Sequence, residues 1–225
     1  QGSAQPPFVD GVGGVSYRGS DGQAMVRSAV LLPMTQEGEA TWLGARSGNG
    51  VFVTTAAAGN GAGAWIDAGS VTDPSALTGA DYRIDFQVAG GNTTYTVLMN
   101  GAPTAQANVP YVAGQAIQFD GMAVTVQGTP AQGDQFDVTP ATADLSLFDT
   151  LDRVVAELKL PNRSSAQVAQ TVASGLRDVD AAFGSLQMQR ALAGESLNRI
   201  DAVESRIADV KLGADTERAH AEDLD

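Results

Sequence analysis

With 225 residues, 43% of them hydrophobic and only 6% aromatic, the chain has room for one or two domains whose cores are thinly spread and rich in small residues. A net charge of −13 disfavours nucleic acid and anionic membrane surfaces, because phosphate recognition needs clustered Lys and Arg. The absence of cysteine removes disulfides, thiolate catalysis and Cys-ligated metals, and no apolar run approaches the roughly 18–20 residues of a membrane span.

The acidity is uneven. Residues 1–144 carry four Arg, no Lys and twelve Asp or Glu, whereas residues 145–225 carry nine basic and fourteen acidic side chains. The first part offers a bare acidic surface and the second an interleaved one capable of salt bridges. The opening QGSAQPPFVDG has no basic start and no apolar core, so it does not read as a signal peptide.

Residues 1–24 are rich in Gly, Pro and Ser and predict short extended pieces with turns at Asp10-Gly11, Gly13-Gly14 and Asp21-Gly22. Gln23 to Pro33 reads as a strand ended by Pro33, with a short helix as the alternative. Residues 48–140 have an all-β pattern. Thr54 to Gly69 reads as a Gly/Ala-rich loop around Trp65. Tyr82, Ile84, Phe86 and Val88 then alternate on one face, as do Tyr95, Val97 and Met99. A turn centred on Gly90-Gly91 sets Phe86 opposite Tyr95, Ile84 opposite Val97 and Tyr82 opposite Met99, so every pair is apolar on the same side. In AIQFDGMAVTV, Asp120-Gly121 signals a two-residue hairpin with both turn positions at positive φ. That register pairs Phe119 with Met122 and Ile117 with Val124. A further strand is expected at Gln135 to Val138.

From Asp144 the hydrophobic period changes from two to 3.6. Asp144 or Ser146 can cap a helix over 145–159 carrying Leu147, Phe148, Leu151, Val154, Val155 and Leu158. Leu160-Pro161-Asn162 breaks it, and Ser164 or Ser165 caps the next. Val168, Val172, Leu176, Val179, Phe183 and Leu186 follow on one stripe. With or without a kink at Gly194, the helix is expected to reach about Leu212, and the charged stretch after Gly213 to fray. The positions 176, 179, 183, 186, 190, 193, 197 and 200 have heptad-like spacing. One long and one short helix cannot cover each other's apolar faces, so Phe183, Leu186, Leu197, Ile200, Val203, Ile207 and Val210 are the candidate packing residues.

Candidate chemistry is sparse. The one histidine, His220, stands in the charged terminal stretch without a second ligand, and neither Lys159 nor Lys211 follows a phosphate-binding glycine loop. No metal or other cofactor is expected. Carboxylates at Asp67, Asp73, Asp81, Asp85, Asp120, Asp134 and Asp137 leave an acid–base glycosidase as a formal alternative. Loops near Trp65, Tyr82 and Tyr111 leave a surface adhesin or glycan-binding module as another.

The segment Ala193-Gly194-Glu195-Ser196-Leu197-Asn198-Arg199-Ile200, with Ser205 to Leu212 and Ala221 to Asp225, resembles the C-terminal helix of flagellins. More narrowly, PPFVDGVGGVSYRGSDGQ (6–23) and GNGVFVTTAAAGNGAGAWIDAGSVTDPSALTGADYRIDF (48–86) resemble the middle of the flagellar hook-associated protein 3 family. The resemblance implies an elongated α+β fold: a small, sandwich-like antiparallel β domain attached to a flagellin-like long-helix bundle. The divisions it suggests are a β-rich part of the rod (1–47), a protruding β domain (48–140) and a helical rod (141–225). It implies a structural, non-enzymatic role outside the cell, joining hook to filament. The implied partners are copies of itself in a ring, a neighbouring hook-associated protein, flagellin and an export chaperone, with type III export and no cleaved signal. Family members also have a helical N-terminal arm and a further C-terminal helix, which this sequence does not show.

Overall fold

The computed structural model describes residues 6–11, 14–19, 23–26, 30–33 and 38–222, with only the backbone described for residues 23–26, 30–33, 40 and 41. Gly13, Asp21, Gly22 and the terminal residues 223–225 lie outside this set. Two hairpins open the fold: β1 (Phe8–Gly11) with β2 (Gly14–Tyr17), and β3 (Gln23–Val26) with β4 (Val30–Pro33). The single strand expected over 23–33 is therefore two strands paired antiparallel. A short helix α1 (Gly38–Trp42) follows.

The next ten strands build two antiparallel sheets. They are β5 (Phe52–Ala56), β6 (Ala64–Ile66), β7 (Ser70–Val71), β8 (Tyr82–Ala89), β9 (Asn92–Met99), β10 (Ala102–Pro103), β11 (Val109–Pro110), β12 (Ala116–Phe119), β13 (Met122–Gly128) and β14 (Gln135–Pro140). The larger sheet has the order β10-β9-β8-β14-β5, with β11 also on β9; the smaller has β12-β13-β6, with β7 also on β13.

Both predicted hairpins form in the expected register, Phe86 opposite Tyr95 and Ile117 opposite Val124. Asp120 and Gly121 have φ of 41° and 76°, as a type I′ turn requires. A side chain at Gly121 would also meet the Asp73 carbonyl oxygen at 2.1 Å, so the turn there needs glycine twice over. The stretch 54–69 is not a loop throughout: Thr54 to Ala56 lie in β5, and Ala64 to Ile66 form β6.

The core lies between the sheets. Phe86, Phe136, Ile84, Val97 and Val138 from the larger sheet meet Ile66, Val124 and Val126 from the smaller, all fully buried. The Phe86 ring stands edge-on to those of Phe136 (5.8 Å) and Tyr111 (5.1 Å), a geometry that favours aromatic pairs.

After the sandwich come α2 (Leu147–Leu158) and α3 (Ser165–Glu222). Ser146 is the N-cap of α2, accepting from the Asp149 N–H, and Ser164 accepts from the Gln167 N–H before α3. Asn162 between them has φ 59°. With 58 residues, α3 is about 87 Å long at 1.5 Å per residue, and it continues past Leu212 through Gly213 to Glu222. Trp42, Phe148, Phe8 and Tyr17 form a chain of tilted rings that ties α1, α2 and the first hairpin together.

Candidate packing surface

The face that α3 turns toward its own chain is made of small and polar residues. Ala166, Thr171, Gly175, Asp178 and Ala182 are buried along it. Gly175 lets α2 approach closely: a Cβ there would lie 2.7 Å from a Val154 methyl. Asp178, only 4% exposed, accepts from Arg153 on α2 at 2.9 Å and from Arg177 at 3.0 Å. Thr171 donates to Glu157 at 2.6 Å, and Arg163 donates to the Thr171 hydroxyl at 2.7 Å. These charged groups are paired and hydrogen-bonded, the condition under which burial is tolerated. They line a cleft of about 780 Å³ between β5 and the two helices.

The apolar stripe lies about one residue, or 100°, away from this face along the first half of α3. Leu176 (62% exposed), Phe183 (59%) and Leu197 (63%) stand in solvent. Of the other predicted packing residues, Leu186 and Ile200 are half-buried, Val203 is buried, and Ile207 and Val210 are exposed. Val203 falls where the two faces converge. From Glu204 to Glu222 every residue is exposed on all sides of the helix. Leu151, Val155 and Leu158 on α2, with Val168 and Val172 on α3, add exposed apolar side chains. Sequence reasoning saw their helical spacing but did not single them out as a surface. It missed the polar seam of Thr171, Gly175 and Asp178 altogether, because a seam of that composition has no hydrophobic signal.

The other candidate chemistries find structural uses for their residues. Tyr82 is buried, and its hydroxyl donates to Asp120 at 2.5 Å. The Tyr111 hydroxyl donates to the Val126 and Gly128 carbonyls, and Trp65 sits within β6. Asp67 accepts from the Gly69 and Thr125 N–H groups, Asp73 from Ser75, Asp134 from Gly61 and Ala131, and Asp137 from Arg83. Asp85 differs: its Oδ1 is buried without a hydrogen-bond partner, and burial lifts its carboxyl above the ordinary value of 3.8. His220 is exposed near the end of α3. Among the described residues no group of three or more His, Cys, Asp or Glu is arranged to hold a metal, and no helix is long and apolar enough to cross a membrane.

Residues 55–140 match the family described as flagellar hook-associated protein 1, D2-like domain. Flagellar hook-associated protein 1 of Escherichia coli (strain K12) is 33% identical over 104 residues, which is 43% of this chain and 17% of that protein. The chain thus spans about a sixth of that curated relative. Over nearly its whole length it resembles the crystal structure of flagellar hook associated protein-3 from Legionella pneumophila, with a TM-score of 0.84 and 26% identity, covering 99% of this chain and 72% of that one. The flagellar junction protein FlgL from Legionella pneumophila gives a TM-score of 0.75 at 28% identity over 90% of this chain and 67% of its own. Xanthomonas campestris FlgL gives 0.76 at 26% over the same shares. The local sequence match thus points to hook-associated protein 1, and the architecture of the whole chain to the hook-associated protein 3 and FlgL type.

Proposed function

We propose that this chain, a flagellin-like hook-associated protein by fold, is a structural component of the bacterial flagellum that joins hook to filament through helical packing. The observation that carries the reading is the division of labour on α3. Its inward face is satisfied by small residues and paired charges, while Phe183, Leu197, Ile207 and Val210 remain exposed on a helix whose residues 204–222 are exposed throughout. Burying a large apolar side chain is worth roughly 1.5–3 kcal/mol, so several in register can hold a neighbouring helix.

In this reading residues 141–225 belong to the rod, residues 1–47 add their hairpins to it, and residues 48–140 project outward as the β domain. The tie between Phe8 and Phe148 supports grouping the N-terminal hairpin with the helices. The partners are copies of the same subunit in a ring, a neighbouring hook-associated protein and flagellin. An export chaperone accompanies secretion through the flagellar apparatus to the cell exterior.

Cells whose copy of the protein carries Leu197→Asp provide the test. Electron microscopy is expected to show hooks without filaments. The purified chain should keep its near-ultraviolet circular dichroism and change in stability by no more than about 0.5 kcal/mol, as a surface substitution does. Normal filaments on those hooks would remove the stripe as a packing face.

A further inference from the structure

The sandwich is open on two sides, because neither sheet closes on itself. On one side the outermost strands are β5 of the larger sheet and β6, with β7, of the smaller; on the other they are β9, with its short companions β10 and β11, and β12. An open edge presents unpaired N–H and C=O groups and is a template for a strand from another molecule.

Both sides are closed by single elements that reach across the two sheets. On the first side α3 passes both edges. Gln170 Oε1 accepts from the Ile66 N–H of β6 at 2.8 Å, and Arg177 Nη1 donates to the Thr54 carbonyl of β5 at 3.2 Å and to its hydroxyl at 3.1 Å. The two residues are seven apart and so share one helix face. On the second side the carbonyl of Gln106 accepts from the Val97 N–H of β9 at 2.9 Å, while its side-chain Nε2 donates to the Gln118 carbonyl of β12. The strands β10 and β11 are two residues long and end in Pro103 and Pro110, which have no N–H to offer a further strand.

We propose that Gln170, Arg177 and Gln106 are edge guards, which prevent strand addition between copies and leave association to the helices. A subunit built to assemble through helices at high local concentration is most exposed to a competing β-linked assembly, and these residues suppress it. The consequence is graded. Opening one side creates one sticky side per molecule and stops at dimers, whereas opening both creates two and propagates.

Sedimentation velocity on the full chain tests this. Gln170→Ala combined with Arg177→Ala is expected to add a dimer boundary absent from the unsubstituted chain at equal concentration, with new intermolecular-β infrared absorbance. Ala56 lies two residues beyond Thr54 on the same free side of β5, and Ala56→Lys should abolish that boundary. Adding Gln106→Ala should shift the dimer to an open-ended series. Gln106→Ala alone, which keeps the backbone carbonyl on β9 and frees the Gln118 carbonyl of β12, should itself yield a dimer and decides the matter if the α3 pair unfolds. Sedimentation and circular dichroism identical to the unsubstituted chain would overturn the proposal. So would association that Leu197→Asp removes and Ala56→Lys does not, an outcome that would leave the helix-packing reading intact.

Discussion

The sandwich and the long helix solve the same problem in opposite ways. In the sandwich the large apolar residues of two sheets face each other, and the largest fully buried side chains among the described residues are Phe86, Phe136 and their aliphatic neighbours. On α3 most of the large apolar residues are exposed, and apart from Val203 the buried positions are a threonine, a glycine, an aspartate and alanines. The sandwich core is buried within the described chain, while the helix leaves large apolar side chains exposed. An apolar side chain buried internally contributes to folding, and one left exposed is free to contribute to assembly.

Substitutions sharpen that contrast. The largest effect is expected from Phe136→Ala, which empties a fully buried site touching both sheets and should lower stability to denaturant by about 3–5 kcal/mol, with loss of near-ultraviolet dichroism. The small inward face of α3 is next. Gly175→Val drives a branched side chain into Val154 and should cost about 1–3 kcal/mol, read as a lower melting midpoint. The outward part of the same helix responds with the opposite sign: Gly213 has nothing within 4 Å of an added Cβ, and Gly213→Ala should stabilise by about 0.5–1 kcal/mol through helix propensity. A gain at Gly175 and a loss at Gly213 would reverse the assignment of the two faces.

The smallest effect belongs to Asp85. Its folded-state carboxyl titrates above 3.8, so the folded protein holds its proton to higher pH than the unfolded chain does. Stability therefore falls as pH rises through the window between those two values, and the penalty persists at neutral pH. Asp85→Asn should raise the melting midpoint at pH 7 and flatten its dependence on pH across that window. The advantage should vanish in more acidic solution, as thermal melts at a series of pH values would show.

The hairpins were legible because their information is local. Alternation at Tyr82, Ile84 and Phe86, a two-residue turn, and matching alternation at Tyr95 and Val97 leave one register that keeps one face apolar. Helix starts were equally local, since Ser146 and Ser164 cap them from within a turn. The strands β5 and β6 were partly hidden because alanine and glycine carry little β signal, and their pairing depends on partners distant in sequence. The extension of α3 to Glu222 was missed because Gly213 and the charges beyond it read locally as a stop.

The amino-acid order alone determined the change of period at Asp144, the registers of the β8–β9 and β12–β13 hairpins and the presence of an apolar stripe, all set by neighbours a few residues apart. Tertiary structure decided which face of α3 is inward, which strand lies between β8 and β5, and how the sheet edges are closed. Those outcomes rest on groups more than a hundred residues apart, such as Arg177 and Thr54, whose hydrogen bonds exist only once the sandwich and the helix are in place.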